Sequence, residues 1–277
     1  MKKLLALLLA LLTVASFAAC SDEGDEEENL DYFKQEDVVY TSLTNEYGTF
    51  HFDTLDSDSV VITGYEGGTD LHAVVIPSTV KTGDDEATVK TVAAIGKSAF
   101  KAVSAITSVT IPEGVVEIGD YAFADCVQMA TVTLPSTIQT IGQGAFRNSG
   151  ITTLVFPETC GLTEIKLAAF ASCTKLTELT IPAYITTIRQ GAFQNCTALA
   201  KIVISEGVTT IEKQAFQGTN ALAQLVLPST FTNTDPMDDL VFSGSDVLYR
   251  ENITCPAGSA AEAYADKMIL ATAPDAE

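Results

Sequence analysis

The chain has 277 residues, of which 47% are apolar and 18% charged, with a formal net charge of −21. So much apolar material excludes a disordered composition, and the negative charge excludes nucleic acid and anionic membrane surfaces as partners, since both would repel it. Thirteen of the 36 acidic residues fall between Asp22 and Asp58, a block that repels itself and stays solvated.

Lys2 and Lys3 precede an apolar run from Leu4 to Phe17 and then small residues, the three regions of a secretory leader. The run is short for a bilayer span. The segment Phe17-Ala18-Ala19-Cys20 resembles the lipobox of bacterial lipoproteins, in which the cysteine is acylated and becomes the mature N-terminus. Phe17 stands where leucine is usual. Cys20 is therefore the expected lipidation site, the alternative being the first free cysteine of a soluble secreted protein. Each buried acyl CH2 contributes about 0.8 kcal/mol, and a durable anchor needs more than one chain. The acidic run after Cys20 resembles the export signal that sends lipoproteins of some Gram-negative gut and mouth bacteria to the outer face of the outer membrane. That resemblance implies an exported, surface-exposed outer-membrane lipoprotein. Residues 1–19 thus read as signal peptide and 20–45 as an acidic flexible tether.

Residues 46–91 read as an N-terminal cap. Phe50 and Phe52 bracket His51, and Val60-Val61-Ile62 follows a polar turn, which predicts a β-hairpin. Asp53, Asp56 and Asp58 have the spacing that opens a calcium loop. Val61 and Gly67, however, occupy the places where that loop needs Gly and Glu. Asp53-Thr54-Leu55 and Asp58-Ser59-Val60 resemble O-glycosylation acceptors of the same bacterial group. A two-strand excursion around Lys81 to Lys90 would cover a sheet edge that otherwise stays open.

From 92 to 235 the chain repeats. An Ala-Phe pair closes each unit at Phe100, Phe123, Phe146, Phe170, Phe193 and Phe216, at steps of 23, 23, 24, 23 and 23 residues. Such a period means stacked coils that bury a shared core. Each unit carries apolar residues six, three and one before a proline, as in Ile106, Val109 and Ile111 before Pro112, with Ser205 in the proline's place in one unit, and an isoleucine five before the phenylalanine. The alternation is strand periodicity, and proline ends the strand because it cannot donate to the ladder. Between the isoleucine and the phenylalanine there is room for a turn or two of helix, expected as 3-10. The fourth unit has two residues added between Pro157 and Leu162.

The pattern LxxLxIP followed by VxxIGxxAFxxC resembles the BspA-like leucine-rich repeats, over about Val60 to Leu270. The resemblance implies an α/β repeat fold: a right-handed solenoid, mainly parallel β with short helical turns, capped at both ends. It also implies a secreted bacterial protein of a kind that in some cases binds extracellular-matrix proteins or other cells. Residues 236–277 read as a C-terminal cap, with a last strand at Ile253-Thr254 and a helix opened by the capping box Ser259-Ala260-Ala261-Glu262 and running through Met268.

Cys126, Cys173 and Cys196 share one column, with Ser149 between them, and are expected as buried thiols. Cys173 and Cys196, one coil apart, are the pair near enough for a bridge. His51 and His72 lack a second ligand at metal spacing. Gly96-Lys97-Ser98 mimics the end of a phosphate loop, but it is a repeat position, reading Gly119-Asp120-Tyr121 one unit on. No cofactor, no metal and no enzyme are expected.

The outward sheet face remains as the candidate binding surface, with Thr131, Thr133, Thr153, Glu178, Thr180, Lys201 and Gln224 as its ligand-binding residues. Absence of tryptophan disfavours stacked sugars. The expected partner of the monomer is an extracellular or host protein, with the membrane reached through the lipid anchor alone. The alternative is a structural or glycan-handling accessory of the cell envelope.

Overall fold

The computed structural model describes residues 41–70, 72–83, 88–232, 240–245 and 247–272. The leader, Cys20, residues 20–40 of the tether and the loop at 235–239 lie outside these. Residues 1–36 group apart from a unit running from Asp37 to Glu277, and the description below concerns that unit.

Each coil contributes to two parallel sheets. In the first sheet, His72–Val75, Ile106–Thr110 and Thr131–Thr133 pair in order, as do Glu178–Ile181, Lys201–Ile204, Gln224–Val226 and Ile253–Thr254. Between the two runs the strand pairing is reduced to isolated bridges of Thr153 to Thr131 and Glu178, beside amide bonds from Thr152 to Ala130 O and from Thr177 to Thr152 O. The second sheet pairs Ser59–Glu66, Val89–Ile95, Glu117–Ile118 and Thr140–Ile141. A separate run pairs Glu164–Ile165, Thr187–Ile188 and Thr210–Ile211.

The inward columns are as the repeat predicts. Ile106, Met129, Ile151, Leu176, Leu199 and Leu222 are wholly buried, as are the six phenylalanines. The phenylalanine rings form one stack that continues to a seventh, Phe242. Successive centroids lie 4.8–5.4 Å apart, at 18° for Phe100 on Phe123 and 2–5° thereafter. Ring spacing therefore follows the strand spacing of about 4.8 Å, so one side chain per coil supports the next.

The segment between isoleucine and phenylalanine corrects the expected 3-10 turn. Ala122 N and Ala124 N donate to Gly119 O and Tyr121 O within the coil, while Tyr121, Phe123 and Asp125 donate to Gln143 O, Ala145 O and Arg147 O of the next coil. A 3-10 helix would turn every amide inward on its own coil. Here alternate amides form a third coil-to-coil ladder. Two residues per coil, such as Tyr121 (φ 56°) and Asp125 (φ 64°), adopt left-handed backbone to allow it. That conformation costs roughly 1–2 kcal/mol for a residue with a Cβ, so the bonds to the neighbouring coil hold it in place.

One coil breaks the regularity. Between Cys126 and Met129 lie two residues, but between Ser149 and Ile151 only Gly150. A Cβ on Gly150 would sit 2.3 Å from Val127 O, so glycine alone fits the shortened loop. The shortfall reaches the strand that follows, which keeps only the Thr153 bridges. The two residues added after Pro157 restore the phase.

Both ends are capped. At the N-terminal side Gly48–Thr54 and Ser59–Glu66 form the hairpin. Ser42–Asn45 pairs antiparallel with the hairpin's first strand, so the chain is already paired inside the stretch read as tether. The excursion is present as Thr79–Lys81 antiparallel to Val89–Ile95. Tyr65 stacks on Phe100 at 5.0 Å and ends the aromatic column there. At the other end the helix Ala260–Thr272 extends past the expected Met268, with Ser259 Oγ accepting from Glu262 N at 3.2 Å. Its Tyr264 stands edge-on to Phe231, 4.9 Å away.

Candidate binding face

The seven residues read as the binding face fall into place on the first sheet. Thr131, Thr153, Glu178, Lys201 and Gln224 form one continuous ladder of parallel partners. Thr133 and Thr180 lie two residues further along their own strands, on the same face. All seven are exposed, while the residues alternating with them, such as Val132, Leu154, Leu179, Ile202 and Leu225, are buried. This is the alternation of a half-buried strand.

The break at Thr153 shapes this face. Beside it lies a concavity of about 380 Å³ lined by residues 153–158 of one coil and Glu178, Leu179, Thr180 and Pro182 of the next. Val155 stands at its edge, 68% exposed, the most exposed of the large apolar side chains among the described residues. The seven-residue site leaves out Phe156 and Glu158, and Val155 too, although strand alternation turns it outward. The signal for them was the proline spacing, since Pro135 to Pro157 spans 22 residues and Pro157 to Pro182 spans 25. A second, smaller concavity of about 230 Å³ lies on the same face, lined by Lys201, Gln224 and the residues Glu251 and Thr254 of the last coil.

Glutamates beyond the strand ends have a different task. Glu113 accepts from both the amide and the hydroxyl of Ser136 on the next coil, at 3.0 and 2.9 Å, and Glu206 does the same with Ser229. These bonds hold both carboxyls below the ordinary carboxylate value, the backbone amide contributing most. Glu158 occupies the equivalent place, but the next coil offers Ala183 in place of serine. On the second sheet Arg189 bridges Glu164 and Glu212, at 2.8 and 2.7 Å.

The residues weighed for chemistry are built into the frame. Asp56 accepts from the amides of Asp58 and Ser59, closing the hairpin turn. Of the glycosylation-like positions, Thr54 is exposed and Ser59 is buried. His72 lies between the Tyr65 hydroxyl and Asp70 O, and His51 faces Glu66 at 3.2 Å. Gly96, Gly119 and Gly142 lie against the coil before them, where a Cβ would meet backbone at 2.6–2.9 Å. They are packing positions of the repeat. Cys126, Cys173 and Cys196 are unbridged, buried thiols that donate to the carbonyls of Phe100, Phe146 and Phe170. Burial pushes Cys126 up to about 12 and Cys173 to about 11. Their column continues to Thr219, whose hydroxyl meets that of Ser245 at 3.0 Å. Among the described residues no cluster of three or more His, Cys, Asp or Glu is placed to hold a metal, and no helix is long and apolar enough to cross a membrane.

A family model for the BspA type leucine rich repeat region, in six copies, matches residues 67–161 and 117–248. The chain belongs to that family. A search of curated proteins finds no match. Among solved structures, the repeat protein is similar to the T. pallidum leucine-rich repeat protein TpLRR, at 24% identity and TM-score 0.48 over 62% of this chain and 87% of that one. It is also similar to a leucine-rich repeat protein from Bacteroides ovatus, at 19% identity and TM-score 0.41 over 80% and 69%. A further similarity is to the pneumococcal vaccine antigen PcpA, at 18% identity and TM-score 0.47 over 79% of this chain and about half, 51%, of that one. The matched model is a repeat model and names no enzymatic activity.

Proposed function

We propose that this BspA-type repeat protein is a non-catalytic lipoprotein, anchored through Cys20 at the cell surface, whose first-sheet face binds an extracellular protein. The observation that carries the binding reading is the exposed ladder from Thr131 to Gln224 with a concavity set into it. A broad, uncharged-to-mixed sheet face offers shape and backbone-spaced polar groups, which suit a protein partner. The aromatic rings are stacked in the core, so none of those seven phenylalanines is available as a sugar platform. The leader, the lipobox-like Phe17-Ala18-Ala19-Cys20 and the acidic run behind it support the surface address.

The test has two arms. Protease treatment of intact cells should remove the repeat body if it faces outward, and protection would overturn the address. Capture of partners by the full chain should be lost on Thr153→Arg and on Glu178→Lys, and unchanged capture would remove the first-sheet face from consideration.

A further inference from the structure

We infer that the cleft beside Val155 takes an extended peptide segment of the partner that presents a lysine or arginine next to an aliphatic side chain. The inference rests on the protein-binding reading and narrows it to one kind of segment. The volume of about 380 Å³ lies within the range of pockets that enclose small groups, about 300–1,000 Å³. Its wall is apolar, made by Val155, Phe156, Pro157, Leu179 and Pro182. Such a wall, with a valine left 68% exposed beside it, gains from an aliphatic side chain laid against it.

The charged residues that line this wall are of one sign. Glu158 and Glu178 line the cleft and no basic residue does. Lys201, next to Glu178 in the ladder, lies outside the lining and makes no ion pair with it among the described residues. Glu113 and Glu206 are satisfied by serines of the next coil, but Ala183 stands in the sequence where Glu158 would need that serine, and Glu158 has no such partner among the described residues. A cation entering here meets two free carboxylates, and charge-assisted hydrogen bonds are the stronger class.

The backbone points to an extended occupant. The strand that should run through 153–156 keeps only bridges at Thr153, and Val155 has no backbone partner on either neighbouring coil among the described residues. An extended peptide laid along this length of the cleft sets alternate side chains against its wall, the spacing from which such recognition takes its specificity.

The test uses the full chain in detergent and a random nonapeptide display library. Selected peptides should be enriched in Lys or Arg beside Val, Ile or Leu. By fluorescence anisotropy, a labelled selected peptide should bind about tenfold more weakly to Glu158→Lys and to Glu178→Lys. Glu117→Lys on the second sheet makes the same change in net charge and should leave binding intact. Selection of peptides without basic residues, equal weakening by Glu117→Lys, or no selected peptide would each overturn the cleft. Loss on Thr131→Arg with none on Glu158→Lys would refute the cleft and leave the face standing. Loss on Thr187→Arg of the second sheet alone would refute both.

Discussion

Thr153 meets Glu178 through a single isolated parallel bridge, whereas Glu178 meets Lys201 as the first pair of a ladder that runs on to Ile181 and Ile204. The same residue type of contact is thus strong on one side of Glu178 and minimal on the other. Amides without ladder partners open locally at low free energy. In hydrogen-exchange measurements the amides of Leu154, Val155 and Phe156 should exchange well before those of Ile202, Val203 and Ile204. Equal protection would mean that the strand is closed in solution and that the cleft does not exist.

The aromatic column predicts where the fold is most sensitive. Phe146 is wholly buried, with Phe123 and Phe170 5.3 and 5.2 Å away. Phe146→Ala leaves a cavity inside the stack and should cost about 3–5 kcal/mol in denaturant unfolding. Tyr264→Ala removes the ring that closes the far end against Phe231 and should fray the last coil first, seen as early loss of protection in 241–254.

Acid should weaken the coil-to-coil clamps. Glu113 and Glu206 have their carboxyl values lowered from 4.5, first by the amides of Ser136 and Ser229. A carboxyl lowered in the folded state adds stability that is present above its unfolded value and is lost as pH falls through the folded one. The double variant Glu113→Gln, Glu206→Gln should therefore show a shallower fall of Tm with acidification below about pH 5, and should converge with the parent once carboxylates are protonated. Parallel curves at all pH values would show that the clamps do not contribute.

Thiol chemistry gives an independent check on the core. Burial raises the values of Cys126, Cys173 and Cys196, so little thiolate forms in the native state. These three should react with an aromatic disulfide reagent only after denaturation, with Cys160 and Cys255, which are half-buried, labelled earlier. Rapid labelling of Cys173 in native protein would contradict its place in the column.

Much of this arrangement was legible because burial in a repeat is a matter of period. The columns ending in Ile111, Leu134 or Ile181, the phenylalanine series, the hairpin around Phe50 and Phe52 and the capping box at Ser259 all follow from spacing and residue type. The seven face residues followed from alternation alone. The turns did not: one left-handed position per coil is filled by Ser98, Tyr121, Ala168 and Gln214 as well as by Gly144 and Gly191, a mixed column, although the other, with Asp125, Asn148, Asn195 and Gly218, carries the residues that favour it. Neighbouring coils impose that conformation. The strand at Ser42–Asn45 was hidden in a polar stretch where only Leu43 hints at pairing. The cleft arises from a one-residue shortfall at Gly150 followed by an insertion after Pro157, whose effect on register becomes visible only when adjacent coils are laid side by side.

The most direct test of the central claim is site-specific photo-crosslinking on living cells that express the full chain. Probes placed at Thr153 and Thr180 on the first sheet should capture a protein partner, while probes at Thr187 and Thr210 on the second sheet should not. Capture from the second sheet alone, or equal capture from both, would contradict the assignment of the first-sheet face as the binding surface.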